Sequence, residues 1–327
     1  MYKKPVIRRK SPNNIFKSIN TKSIVINPPN PISNCLDIIN QASDYLKQSN
    51  KSPKILCKIS NNMGDSLYSI PILRHYRNKY PNSCITFLTE RRYSNVHELR
   101  KDIDKLFLLP NKLSGETRLS LWNPIKNDKN IDIAIIPAIN PFRSRFKDND
   151  WCQNNIADQY FYNAKIESLQ PIGGRQLSIN VSDSDKEWIS SSLKDFKVSK
   201  SIAIEYISYS SRPKWNMNKY IEFVKLANSN GYQCYSIAGQ HEPQIPFTID
   251  FRGITWRQTV ALLSKMKYVI GCGSGISMLA AASDPQPKII ELDVPENVTL
   301  AICGFAPSIN IHNPTPEAVM KTILDSH

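Results

Sequence analysis

Between Lys267 and Ser283 the chain reads K-Y-V-I-G-C-G-S-G-I-S-M-L-A-A-A-S. Gly271, Gly273 and Gly275 fall at every second position, separated only by Cys272 and Ser274. The β-branched and aromatic run Tyr268-Val269-Ile270 precedes them, and the apolar, Ala-rich stretch from Ile276 to Ala282 follows. Strand, glycine turn and helix start, in that order, aim backbone N–H groups and the positive end of a helix dipole at one spot. The chemistry on offer is the binding of an anion, most often a phosphate, by the backbone of Gly273, Ser274, Gly275, Ile276 and Ser277. The turn carries no charge and no bulky side chain, so a ligand can approach its backbone closely. Ser274 puts a hydroxyl where it can cap the helix or bond a ligand oxygen. The same pattern would also serve as a plain tight turn between a strand and a helix.

Four other places carry groups that suit such a ligand. Asp65 follows Gly64 at the first strand-to-helix turn, where its carboxylate can cap the helix and also face a cleft. Arg143-Ser144-Arg145 and Lys147 follow the apolar run Ile135-Ile136; they read either as a solvated loop or as a site for an anionic sugar or phosphorylated lipid head. Arg212 and Lys214, in Ser210-Ser211-Arg212-Pro213-Lys214-Trp215, have the charge to neutralise a departing diphosphate. Gly239-Gln240-His241-Glu242 supplies a carboxylate after another strand. The D-x-D pairs Asp102/Asp104, Asp148/Asp150 and Asp183/Asp185 lie in polar stretches and read as surface, so no metal is expected.

These groups need regular elements to hold them at one edge. Strands are expected at 54–59, 83–89, 105–109 and 131–136, with helices at 66–80 and 96–100. Leu67, Ile70, Leu73 and Tyr76 share a face of the longer helix. A second series follows: strands at 201–206, 233–238, 268–270 and 288–292, and helices at 184–196, 218–228, 255–266, 276–282 and 316–324. Residues 151–162 read as a further helix in an irregular stretch. Strands alternating with helices mean βαβ units and parallel sheets, an α/β fold in two units. Ligands then sit at the carboxyl ends of the strands. The expected division is an arm and helix over residues 1–50, one Rossmann-like domain over 51–180 and another over 181–327.

The 327 residues are 41% hydrophobic and 9% aromatic, a globular composition. No apolar run is long enough for a transmembrane helix, and the N-terminus lacks the apolar core of a signal peptide. Seven scattered cysteines with no C-x-x-C pair predict a reduced, cytoplasmic setting without zinc or disulfides. Of the net charge of +14, residues 1–54 hold +8. The Pro- and Asn-rich part of that arm, up to about Ser33, argues against regular structure, whereas Leu36, Ile39, Ala42 and Leu46 predict a docking helix over 33–48. The basic arm suits a solvated tail, or a peripheral contact with anionic lipid at the inner face of a membrane. Nucleic acid is not an expected partner, since the arm has no interleaved aromatics and no recognition motif occurs elsewhere.

Several of these stretches together resemble the family 9 glycosyltransferases, the heptosyltransferase family. They are the glycine turn; Met63-Gly64-Asp65 followed by Ile70-Pro71-Ile72-Leu73; Arg143-Ser144; and Asp250-Phe251-Arg252-Gly253 ahead of Val260-Ala261-Leu262-Leu263. The resemblance covers about residues 54 to 305, and the G-S-G-I-S form is closer to the autotransporter-heptosyltransferase branch. It implies the GT-B fold, two Rossmann-like domains facing each other across a cleft. It implies an inverting transferase that needs no cofactor or metal, with a nucleotide sugar, heptose among the candidates, as donor and a glycan, lipid-linked or protein hydroxyl as acceptor. Asp65 is then the general base, Glu242 the partner of the donor ribose, Gly239 and residues 273–277 donor contacts, Arg212 and Lys214 the leaving-group cations, and Gly64 with Arg143, Ser144 and Arg145 acceptor contacts. The chain departs from the family at Gly273, where an Asp is typical, at Met278, where a His is typical, and at Pro213, where the family has a Lys. A nucleotide-sugar-binding protein without turnover is the alternative that Gly273 and Met278 suggest; an intact Asp65 favours the enzyme.

Deleting residues 1–30 is expected to leave the melting temperature almost unchanged, because few apolar residues go with them. Co-sedimentation with anionic vesicles tests the lipid contact, which is wrong if the deletion leaves binding the same.

Overall fold

The computed structural model describes residues 31–58, 63–111, 113, 117, 120–136, 156–166, 168–193, 198–207, 215–292 and 305–326. In chain order its strands are β1 (Lys54–Lys58), β2 (Cys84–Glu90), β3 (Lys105–Leu109), β4 (Ile133–Ile135), β5 (Ser201–Glu205), β6 (Gln233–Ile237), β7 (Ile249–Asp250), β8 (Tyr268–Gly271), β9 (Lys288–Leu292) and β10 (Ser308–Ile311). Its α-helices are α1 (Pro31–Gln48), α2 (Met63–Leu67), α3 (Ser69–Lys79), α4 (Ser94–His97), α5 (Trp122–Lys126), α6 (Ile156–Asn163), α7 (Asp183–Ser192), α8 (Met217–Ser229), α9 (Trp256–Leu263), α10 (Gly275–Ala281) and α11 (Pro316–Asp325).

The strands make two sheets, β3-β2-β1-β4 and β10-β9-β8-β5-β6-β7, with every pairing parallel. Helices cover both faces of each sheet, so the inner strands read as near-continuous apolar runs. On the first sheet, α1 sets Cys35, Ile38, Ile39, Ala42 and Leu46 against Leu56, Cys84, Leu88 and Phe107. The expected stripe is shifted here: Leu36 is half-buried and Cys35 and Ile38 do its work. The other face carries Leu67, Ile70, Leu73 and Tyr76 over Ile55, Cys57, Ile85 and Phe87. On the second sheet, Tyr220, Phe223, Val319 and Ile323 pack on Ile202, Ile204 and Ile270, while Val260, Leu262 and Leu279 pack on Ala203, Val269 and Ile289.

The helix expected over 66–80 is two pieces, broken at Tyr68. Pro71 supplies the reason: it has no N–H for the carbonyl of Leu67, and its ring crowds that carbonyl. β7, β10 and α5 were not expected. β7 and β10 are edge strands whose residues are exposed or half-buried, so no apolar run marks them. None of the five described cysteines, Cys35, Cys57, Cys84, Cys234 and Cys272, forms a disulfide. No helix among the described residues is long and apolar enough to cross a membrane.

Both sheets reverse strand order at one place, between β1 and β4 and between β5 and β8, and the crevice at such a point is where a doubly wound sheet takes its ligand. Direct contacts join the two halves. Trp256 Nε1 donates to the Arg92 carbonyl at 3.0 Å, and Arg257 bridges Asp185 at 2.8 Å and Glu98 at 3.2 Å. One apolar cluster runs from Met63 and Leu67 to Ile276 and Leu279 without a break. Arg257→Ala would leave the buried Asp185 without its cation and should cost about 1–3 kcal/mol in urea unfolding. An unchanged midpoint would show that the Asp185–Arg257 pair adds nothing to stability.

Candidate functional site

The first turn of α2 and the first turn of α10 lie against each other. A Cβ built on Gly275 would stand 3.1 Å from Met63 Cβ and 3.5 Å from the Gly64 nitrogen, and one built on Gly64 would stand 3.7 Å from Met278 Cγ. Gly275 is helical, so its need for glycine is this close approach and not its backbone angles. The left-handed position is Gly273, at φ +68°.

Asp65 is half-buried and sits inside the first turn of α2, not at its cap, because the helix starts at Met63 and not at Ser66 as the sequence suggested. Its Oδ1 accepts a 2.8 Å hydrogen bond from the hydroxyl of Tyr160 on α6. The neighbouring Ser66 points the other way, its Oγ 2.7 Å from Nε2 of the buried His97. Burial, with Arg100 close by, holds His97 well below the usual imidazole range, so it is neutral. Arg100 ties this network to Ser69 Oγ at 2.9 Å and to Asp102. The α2 turn is thus anchored on both sides.

The glycine turn is held from beneath by two carboxylates that were not among the sequence candidates. Glu205 ends β5 and Glu291 lies in β9, on either side of β8. They are 3% and 0% exposed. The Gly273 N–H donates to Glu291, and the Ser274 hydroxyl donates to Glu205 while accepting from Ile276 N at 3.0 Å. Ser274 is therefore the helix cap, and two of the backbone donors expected to face an anion, at Gly273 and Ile276, are already engaged. Burial pushes the Glu205 carboxyl up to about 8, helped by the nearby charges of Glu291 and Glu242. Burial raises Glu291 as well. A Glu closing an otherwise apolar strand, as in S-I-A-I-E, was the available signal for Glu205; in K-I-I-E-L the acid stands inside the apolar run, one residue before its end.

Gly239 and Glu242 form the turn after β6, where Glu242 N donates to the Gly239 carbonyl at 3.1 Å. Glu242 is half-buried, and burial raises its carboxyl above the usual range. Arg252 donates to the Glu242 carbonyl and makes a two-point ion pair with Asp250, both bonds 2.8 Å, so the D-F-R-G segment braces this turn. Two of the D-x-D pairs are less exposed than expected: Asp104 pairs with Lys51 and Arg77, and Asp185 with Arg257. Among the described residues, no group of three or more His, Cys, Asp or Glu is placed to hold a metal ion.

The structure therefore sets the first turn of α2, which holds Gly64 and Asp65, against the first turn of α10 through Gly275 and Met278, and sets Glu242 within electrostatic reach of Glu205. Arg143, Ser144, Arg145, Arg212 and Lys214 lie outside the described residues, as do Asp148 and Asp150. By chain order the first three follow β4 and the next two follow β5, the strands that flank the two reversal points.

No protein-family model and no curated protein matches the chain in sequence. Solved structures do match it in fold. A glycosyl transferase family 9 protein from Veillonella parvula DSM 2008 superposes with a TM-score of 0.65 at 15% identity, over 85% of this chain and 98% of that one. The E. coli ADP-heptose LPS heptosyltransferase II superposes at 0.61 and 17% identity, over 84% and 98%. The E. coli heptosyltransferase WaaC with ADP superposes at 0.55 and 12% identity, over 84% and 100%. The architecture is the two-domain GT-B fold of these proteins.

The raised Glu205 has a testable consequence. Its folded pKa exceeds its unfolded one, so it contributes stability that is complete below about pH 4.5 and is lost as pH rises through about 8. Glu205→Gln keeps an acceptor for Ser274 but cannot ionise. Its melting temperature should fall less than the wild type's between about pH 6 and 9, and parallel curves would show that Glu205 titrates normally.

Proposed function

We propose that the chain is an inverting glycosyltransferase with a nucleotide-diphosphate sugar as donor. The observation that carries this reading is the contact between the two turns. The first turn after β1, which carries Asp65, meets the glycine turn after β8 through Met63, Gly64 and Gly275, at the reversal points of two Rossmann-like sheets, in a fold shared with structures described as glycosyl transferases.

In this reading Asp65 accepts the proton of the acceptor hydroxyl as its oxygen bonds to the anomeric carbon. The bond from that carbon to the diphosphate breaks in the same step, and its electron pair leaves with the diphosphate. A single displacement inverts the anomeric centre. The diphosphate sits at the start of α10, with N–H groups other than those of Gly273 and Ile276 and with the Ser274–Ser277 segment as its floor. Glu242, on the turn braced by Arg252, accepts from the ribose hydroxyls. Arg212 and Lys214, which follow β5 in the chain, supply charge opposite to that of the departing diphosphate, so the transfer runs without a metal. Arg143, Ser144 and Arg145 hold the acceptor, a glycan, lipid-linked or protein hydroxyl. Heptose is the first sugar to try, because two of the structural neighbours are described as heptosyltransferases and one is described with ADP. Work at the inner face of a membrane would suit a lipid-linked acceptor and the basic arm.

A second reading is a nucleotide-sugar-binding protein without turnover. Met278, fully buried against Gly64, favours it by setting a thioether beside the turn that bears Asp65. One experiment separates the two. Calorimetry with ADP, UDP and GDP, followed by transfer assays with the matching sugar donors, should find one tight diphosphate and measurable transfer. Asp65→Asn should bind that diphosphate about as well as wild type and lose about two to four orders of magnitude in transfer. Near-normal turnover in the variant would remove Asp65 as the base, and binding with no wild-type transfer from any donor would support the second reading.

A further inference from the structure

We propose that Tyr160 is a positioning residue for Asp65: its hydroxyl fixes the direction of the carboxylate and keeps it in the charged form a base requires. This rests on the reading of Asp65 given above. The geometry is built, not incidental. Tyr160 is 1% exposed, and its hydroxyl lies 2.8 Å from Asp65 Oδ1 across 95 residues of chain. Its ring stacks on Tyr68 at 4.2 Å between centroids and 15° between planes, and the Phe305 ring stands 5.3 Å from that of Tyr68. The helix that carries it is tied at both ends: Asp158 pairs with Arg175 at 2.6 Å, and the Ala164 carbonyl accepts from Tyr76 at 2.7 Å. A phenol locked in this way has little freedom to swing, so the bond orients Asp65 rather than following it.

Burial and the Asp65 carboxylate beside it hold the phenol well above its usual range, so it stays a neutral donor at any working pH. A neutral donor bonded to a carboxylate favours the ionised form. Among the described residues, the titratable groups on the elements around α2 are placed as follows. From α10 no titratable side chain is offered, and His97 on α4 is neutral. On α3, Arg74 turns to Gly173 and Ser178, His75 accepts from Ile172 N, and Arg77 pairs with Asp104. Lys79, at the far end of that helix, lies over the Tyr80 ring. Asp158 on α6 is paired with Arg175, Tyr162 is exposed, and Lys58 at the end of β1 faces Cys35 on the α1 side of the sheet. Glu205 and Glu291 under the glycine turn titrate too, but identically with and without the Tyr160 hydroxyl.

Tyr160→Phe keeps the ring and its stacking and removes only the donor. The expected result is unchanged ADP affinity by calorimetry and an acid limb of kcat/KM against pH displaced upward by about one unit. The carboxyl carbon of Asp65, followed by NMR in labelled protein, should titrate higher by the same amount. An Asp65 titration that does not move between the two folded proteins overturns the proposal. If Asp65→Asn loses transfer while Tyr160→Phe leaves the acid limb in place, this inference fails and the assignment of the base stands. If Asp65→Asn keeps its turnover, the base assignment fails, and the NMR titration still decides whether Tyr160 governs the charge of Asp65.

Discussion

Gly275 is the point on which the site depends. With hydrogen in place of a side chain, α10 can lie against Met63 and the backbone of Gly64. A Cβ at this position would stand 3.1 Å from Met63, so Met63 would have to give by a few tenths of an ångström for the same approach to be kept. The approach lies within the apolar cluster that runs unbroken between the halves and includes the buried Met278.

Electrostatics then decide how the turn can be used. A glycine turn before a helix offers N–H groups to an anion, but here buried carboxylates take part of that offer from within. Glu291 accepts from Gly273, and Glu205 from the hydroxyl that caps α10. The turn is rigid before any ligand arrives, which lowers the ordering cost of binding. The same carboxylates resist ionisation because they are buried close to each other. A ligand diphosphate would bring its own negative charge to the turn, and the cations that follow β5 in the chain have the charge to meet it. Gly273 fits the same logic: its left-handed backbone suits glycine, and Asp, the residue typical of the resembled family, is among the few others that tolerate it.

Much of the α/β architecture was legible. Apolar runs bounded by turn residues marked β1, β2, β5, β6, β8 and β9, since strands buried on both faces leave that trace in any chain. Edges and breaks were not. β7 and β10 bury little, and the split of α2 from α3 turns on one proline whose effect depends on the carbonyl four residues before it. In the site, Gly64, Asp65, Glu242 and the glycine turn could be named in advance because strand-to-helix turns are where a parallel sheet presents its ligands.

Tyr160 could not be named as a site residue, and Glu205 and Glu291 showed only as acids in apolar strands, because each acquires its role from a partner distant in the chain. A tyrosine in a helix gives no sign that its hydroxyl will meet a carboxylate 95 residues away. The sequence by itself determined the periodicities, the turn chemistry and the burial of the strands, which depend on neighbours along the chain. Only the tertiary structure decided which donors of the glycine turn are already engaged, which carboxylates are forced up by burial, and which helix starts touch. Those depend on distances of a few ångströms between residues whose separation in sequence carries no information about their separation in space.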